Sequence, residues 1–284
     1  MARRNSPKRH IAPTAAAPET AKSPVSKEAM VWSNAKDPNA ARHAQLIVAG
    51  MQALEGSDIE TAKSHFRAVL DQNIEHPDAL FGMGLVARKL QQHLTGAELI
   101  RRAIAVSPNP AYWSNLGNLL HEMGEFDAAL TAQKEAFRLS PNHAGVIQNY
   151  ASALNHLDRY YEAMPLFRKL ARTFPDNLQH LVNYATVLTR VGEYSAANRV
   201  FRQAREIDQT DNTCNFHYAV NLMAIGEWTL GWQLYESRFQ APAYHASVRR
   251  YSVTADLPDS MNGERIFLYG EQGIGDELRF AGMV

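Results

Sequence analysis

The chain has 284 residues, 45% of them hydrophobic, with 29 Lys and Arg against 29 Asp and Glu and a single cysteine. That balance excludes a chain-wide electrostatic pull towards nucleic acid or an anionic membrane surface. One cysteine excludes an intrachain disulfide and a cysteine-based metal cluster, and it fits a reducing, cytoplasmic compartment. No run of about 20 apolar residues is present to span a bilayer. The eleven histidines are scattered without metal-ligand spacing, so neither a metal nor a cofactor is expected.

Residues 1–36 hold seven Lys or Arg and two Glu, which leaves this leader at +5 and the remainder at −5. Rich in Ala, Pro, Ser and Lys and without a sizeable apolar run, it cannot bury enough surface to offset its ordering entropy and reads as disordered. Arg3, Arg4, Lys8 and Arg9 read as a solvated basic tail rather than a nucleic-acid or targeting cluster.

Residues 37–240 carry helical periodicity throughout. The first unit runs from His43 to His76, broken by Gly56-Ser57-Asp58, with Phe66, Val69 and Leu70 as an apolar face. The second, Pro77–Asn109, carries Gly82 and Gly84 inside a helix, each costing up to about 1 kcal/mol against Ala. They read either as room for a neighbour or ligand, or as a weak, frayed unit.

The third unit, Pro110–His143, is the template. Asn109 can cap its first helix and Pro110 suits the opening turn, where a missing N–H costs nothing. Gly124 stops that helix as a left-handed cap. Phe126, Ala129, Leu130 and Ala136 mark the second helix, and Gly117 is expected to pack on Ala129. The fourth and fifth units repeat the pattern through Tyr150 and Phe167, then Tyr184 and Phe201. The sixth diverges: Trp228, Trp232 and Tyr235 fall on one face at i, i+4 and i+7, predicting buried packing against a following domain or a C-terminal cap.

Residues 241–261, with Pro242, Pro258 and the pair Arg249-Arg250, read as an extended linker. In residues 262–284, Arg265–Tyr269 is a short strand, Gly270–Gly275 a turn, and Asp276 opens a helix, the start of an incomplete Rossmann-like domain. Gly273, Gly275 and Asp276 are candidates for a phosphate or nucleotide turn. A tight turn capped by Asp276 accounts for them better, since no Lys-Ser/Thr and no third glycine follow.

Small residues recur at Gly50, Gly84, Gly117, Ala151, Ala185 and Ala219, in steps of 34, 33, 34, 34 and 34. A second small series lies twelve residues later, and a bulky one four beyond that: Phe66, Ile100, Gln133, Phe167, Phe201 and Tyr235, with only Gln133 out of type. With Pro108, Pro141 and Pro175 closing units, this period of about 34 is identified as that of the tetratricopeptide repeat. The resemblance implies an all-α, right-handed superhelix of about six helix–turn–helix repeats, here followed by a short βα stub.

Two positions before the small series lie Asn115, Asn149 and Asn183, again 34 apart. On the concave face of such a superhelix their carboxamides offer donors and acceptors to the backbone of an extended peptide. The plain alternative is an asparagine merely typical of the repeat. Asn118, Ser152 and Thr186 make the same stretch polar and uncharged, without rows of Lys and Arg to clamp an acidic terminus.

The segment SNLGNLLHEMGEFDAAL resembles repeats of the O-linked N-acetylglucosamine transferase family. GEQGIGD after EWTLGWQLYESRF is similar to the junction of bacterial repeat proteins with a GT-B-type glycosyltransferase domain. The resemblance implies a protein- or peptide-binding scaffold, the partner- or substrate-recognition part of a glycosyltransferase. The alternative is a nucleotide-sugar-dependent glycosyltransferase of which this chain is the N-terminal fragment. Residues 1–284 alone are expected to be inactive, binding a nucleotide sugar only if the transferase domain is complete. A protein or unstructured peptide is the expected partner; membrane and nucleic acid are not.

Overall fold

A computed structural model describes residues 39–237, and all regular structure among them is helical. The leader, the linker and the βα stub, with its expected strand, lie outside the described residues. Five helix pairs fill the first unit, which ends at Asp208: α1 (Ala40–Glu55), α2 (Ile59–Leu70), α3 (Pro77–Lys89), α4 (His93–Val106), α5 (Pro110–Glu122), α6 (Phe126–Leu139), α7 (Ala144–His156), α8 (Tyr160–Thr173), α9 (Leu178–Arg190) and α10 (Tyr194–Ile207). A second unit, beginning at Gln209, holds α11 (Asn212–Ala224) and α12 (Trp228–Tyr235). Within the first unit each helix packs on its sequence neighbours, and first helices of adjacent repeats also meet, α1 on α3 and α5 on α7.

Local chemistry sets the helix ends. Asn109 Oδ1 accepts from Ala111 N at 2.8 Å, with Pro110 in the first turn, and Asn177 Oδ1 accepts from His180 N at 3.1 Å. Asp58 and Asp211 cap α2 and α11 in the same way. These side chains satisfy N–H groups that have no partner inside the helix.

The turn inside every repeat closes identically. Asp58, Gln92, Glu125, Arg159, Glu193 and Glu227 each donate their N–H to the carbonyl five residues back, at 2.8–2.9 Å. That bond requires a left-handed residue just before it. Gly124, Gly192 and Gly226 supply it at φ +79°, +84° and +85°. Ser57, Gln91 and Asp158 adopt it at 62°, 62° and 58° despite their side chains. A left-handed non-glycine residue costs roughly 1–2 kcal/mol, partly offset by the extra chain entropy that glycine carries when unfolded. Ser57→Gly is therefore expected to raise stability by about 0.5–1 kcal/mol, read as a higher urea midpoint.

Packing follows the two small series and the bulky one. Phe66, fully buried, lies over both Gly50 and Gly82: a methyl carbon on either glycine would sit 2.7 or 2.5 Å from the ring. Gly84 lies against Ile100 in the same way, and a methyl carbon on Gly96 would come within 3.0 Å of Gly84 O. Gly82 and Gly84 thus make room for neighbours, which decides between their two readings. Ala151 and Ala185 accompany the buried rings of Phe167 and Phe201 at equivalent positions. Over Gly117 the three nearest atoms to a methyl carbon all belong to Gln133, from 2.6 Å.

Repeats are also tied across. Tyr112 stacks on Phe81 with centroids 4.6 Å apart and donates its hydroxyl to Asp78. Burial, then the Asp78 charge and hydrogen bond, push the Tyr112 phenol far above its ordinary range. Arg88 grips Glu122 with two nitrogens, and Lys169 Nζ donates to Pro141 O at 3.2 Å and Asn142 Oδ1 at 2.9 Å.

In the second unit α12 rests on α11 through Gly231, where a methyl carbon would lie 2.8 Å from Met223 Cγ. Gly231 is the buried residue of this eight-residue helix. The sequence predicts its aromatic face to be buried against a following domain or a C-terminal cap, which would lie outside the described residues; Trp228 is 57% and Trp232 46% exposed, and Tyr235 is half-buried. On the aromatic side Tyr235 packs on Phe216 of α11 with centroids 5.5 Å apart, and Trp232 meets Tyr235 edge-on at 5.6 Å.

Candidate functional site

The candidate face runs along α5, α7 and α9, the first helices of repeats three to five. The asparagines at 34-residue spacing are not equivalent there. Asn115 is buried, and its Nδ2 donates to Ala111 O of its own helix at 2.9 Å. Its carboxamide serves α5 itself, in contrast to the exposed group expected. Asn149 and Asn183 are half-buried. Asn149 Nδ2 crosses to the preceding repeat and donates to Ser114 Oγ at 2.9 Å, while Asn183 Oδ1 accepts from Gln179 Nε2 at 2.9 Å.

The neighbouring row is polar and partly engaged as well. Asn118 Oδ1 accepts from Gln133 Nε2 at 2.9 Å, Ser152 Oγ accepts from Gln148 Nε2 at 3.2 Å, and Thr186 Oγ1 donates to Val182 O at 2.8 Å. Asn118, Ser152 and Thr186 are all half-buried. Ser114 and Gln148 share one repeat position, 34 residues apart, but with Val182 next in line the position changes type from repeat to repeat and gives no sequence signal. Gln148 is buried, and its Oε1, itself inaccessible to solvent, meets no donor among the described residues. Gln133 did carry a signal, as the one polar member of the bulky series. Gly273, Gly275 and Asp276 lie outside the described residues.

At the Glu122 end of this face, charged and titratable groups gather. His121 sits edge-on to His156 with centroids 4.5 Å apart, and Phe126 packs on both rings, at 5.2 and 4.3 Å. Burial, then the proximity of His156, hold the His121 imidazole below its ordinary value, with Glu122 pulling the other way. A histidine whose folded pKa is depressed binds fewer protons folded than unfolded, so stability rises with pH across that window. The contribution is present above the unfolded value of about 6.5 and is lost as pH falls towards the depressed folded value. A lower urea midpoint is expected below that pH, and His121→Gln should flatten the dependence. Equal slopes in variant and parent would refute it.

Among the described residues no cluster of three or more His, Cys, Asp or Glu is arranged to hold a metal ion, and no helix is long and apolar enough to cross a membrane. Away from the Glu122 end, the side chains named along α5, α7 and α9 are uncharged hydrogen-bonding groups.

Two tetratricopeptide-repeat models match the chain, one over residues 86–224 and one over 48–105. No curated protein matches it. Among solved structures, pilF of Pseudomonas aeruginosa superposes with a TM-score of 0.63 at 17% identity, over 74% of this chain and 98% of that one. A tetratricopeptide repeat protein from Parabacteroides merdae gives 0.59 at 16%, over 71% and 80%. YrrB, described as a TPR protein with an unusual peptide-binding site, gives 0.54 at 12%, over 64% and 96%. These likenesses concern the fold. With the matched span, the 34-residue period and the paired helices in agreement, this chain is a tetratricopeptide-repeat protein.

Proposed function

We propose that the first-helix face of repeats three to five binds an extended, uncharged segment of a protein partner. The observation that carries this reading is the row of carboxamides with one atom engaged and one unengaged. Asn118 and Asn183 each use Oδ1 and keep Nδ2, while Asn149 uses Nδ2 and keeps Oδ1. A peptide backbone needs such donors and acceptors whatever its side chains, and each bond contributes about 0.5–1.5 kcal/mol net. YrrB, of the same fold, is a precedent for peptide binding.

Changing Asn118, Asn149 and Asn183 together to Ala should weaken binding to an unstructured, uncharged peptide at least about tenfold, with little change in melting temperature. Asn115→Ala, which removes a bond internal to α5, should leave affinity intact. Peptides selected from a displayed library of uncharged decapeptides and titrated by calorimetry provide the readout. Unchanged affinity in the triple variant would sink the reading.

The finer reading is that the partner is the protein substrate of a GT-B-type glycosyltransferase in the cytoplasm. It is supported by the resemblance of SNLGNLLHEMGEFDAAL and of the Gly270–Asp276 segment, and by the single cysteine.

A further inference from the structure

The second helix of each repeat places a bulky residue over the small position of the first: Phe66, Ile100, Phe167 and Phe201 are all buried there. In the third repeat the same place is taken by Gln133, itself only 2% exposed. A buried amide is costly unless its hydrogen bonds are made, and here they are. Its Nε2 donates to Ser114 O at 2.9 Å and to Asn118 Oδ1 at 2.9 Å, and its Oε1 accepts from Ser114 Oγ at 3.3 Å. Gly117 opens the path from α6 to α5, because a methyl carbon there would stand 2.6 Å from Gln133 Nε2.

This bonding fixes the polarity of the face. With Oδ1 of Asn118 taken by Gln133, its Nδ2 is left as a donor. A hydroxyl has one proton, and Ser114 gives it to Gln133. Its oxygen therefore accepts from Asn149 Nδ2 at 2.9 Å, which leaves Asn149 Oδ1 as an acceptor. One unengaged donor on α5 and one unengaged acceptor on α7 complement the C=O and N–H of a backbone peptide unit.

We infer that Gln133 is a positioning residue: from the interior it orients Asn118 and, through Ser114, Asn149, so that repeats three and four present a donor–acceptor pair for the backbone of an extended peptide. The ligand class rests on the reading given under Proposed function; the orientation of the carboxamides does not.

The test uses the full chain, with Gln133→Ile, the residue type found at the equivalent Ile100. The probe is a ten-residue Ser-Ala repeat peptide, with nitrogen-15 NMR of the side-chain amides as a second readout. In the parent the Asn149 amide protons should exchange slowly. In Gln133→Ile they should exchange fast, peptide affinity should fall roughly fivefold, and the urea midpoint should be kept or raised. Affinity unchanged in the variant, or falling only in step with a lowered midpoint, would overturn the inference. So would Asn149 protons exchanging equally fast in parent and variant. If the parent does not bind the peptide, the groove reading fails for this probe, while slow exchange lost in the variant still supports the positioning role. Should Gln133→Ile fail to fold, Gly117→Ala displaces Gln133 by its methyl group, with alanine already present at the equivalent Ala151 and Ala185. Retained slow exchange of Asn149 in that variant would overturn the inference.

Discussion

Phe66→Ala should cost about 3–5 kcal/mol, the range for truncating a fully buried phenylalanine. The ring is fully buried and occupies a slot whose two walls are the backbones at Gly50 and Gly82. Those walls belong to different repeats, so the ring is packed at once against α1 and α3. Helix backbones cannot close over the space as flexible side chains would, so the cavity should persist, and its cost adds to the lost transfer energy. Each repeat in such an array is held by its neighbours alone. The loss should therefore concentrate at one end: amide exchange in α1 and α2 should accelerate strongly, while α7 to α9 keep their protection. A loss below about 1 kcal/mol, the scale of removing one methyl group, would mean that the slot collapses after all.

Gly82→Ala sets two effects against each other. Propensity alone favours alanine inside a helix by about 0.8–1.0 kcal/mol. Packing opposes it, since the new methyl carbon would lie 2.5 Å from two ring carbons of Phe66. The ring cannot retreat, because Gly50 bounds its other face at 2.7 Å by the same measure. Overpacking of about 1–3 kcal/mol should win, giving a net destabilisation of about 1–2 kcal/mol read from urea unfolding. Gly56→Ala is the control. A methyl carbon there would meet only ordinary contacts, from 3.5 Å, and the backbone φ of −75° suits alanine. It should be neutral or mildly stabilising. A stabilised Gly82→Ala would show that the first repeat is loose enough to shift as a body.

Much of this architecture is legible in the sequence because its causes are local. The helices answer to a 3.6-residue period, the caps at Asn109 and Asn177 to hydrogen bonds within two or three residues, and the turn at Gly124 to a single backbone angle. The partnership of small and bulky residues is legible too, since it recurs at one offset: Gly50 with Phe66, Gly84 with Ile100, and Gly117 with Gln133. Even the exception announced itself, for a glutamine in a series of apolar residues demands a hydrogen-bonded explanation.

The sequence by itself thus determined the repeat, its helices, its core positions and the row of asparagines at 34-residue steps. It could not determine what those asparagines offer. Asn115, Asn149 and Asn183 share one repeat position, yet one bonds within its helix, one crosses to Ser114 and one pairs with Gln179. Which end of a carboxamide is left open depends on partners 19 and 35 residues away, Gln133 for Ser114 and Ser114 for Asn149. The same limit applied to α12, where i, i+4, i+7 spacing shows that Trp228, Trp232 and Tyr235 share a face, but not whether anything covers it. Periodicity records the direction of a side chain from its own helix. Only the packed structure decides which neighbour meets it, because hydrogen bonding and burial are settled between elements that the chain brings together from far apart.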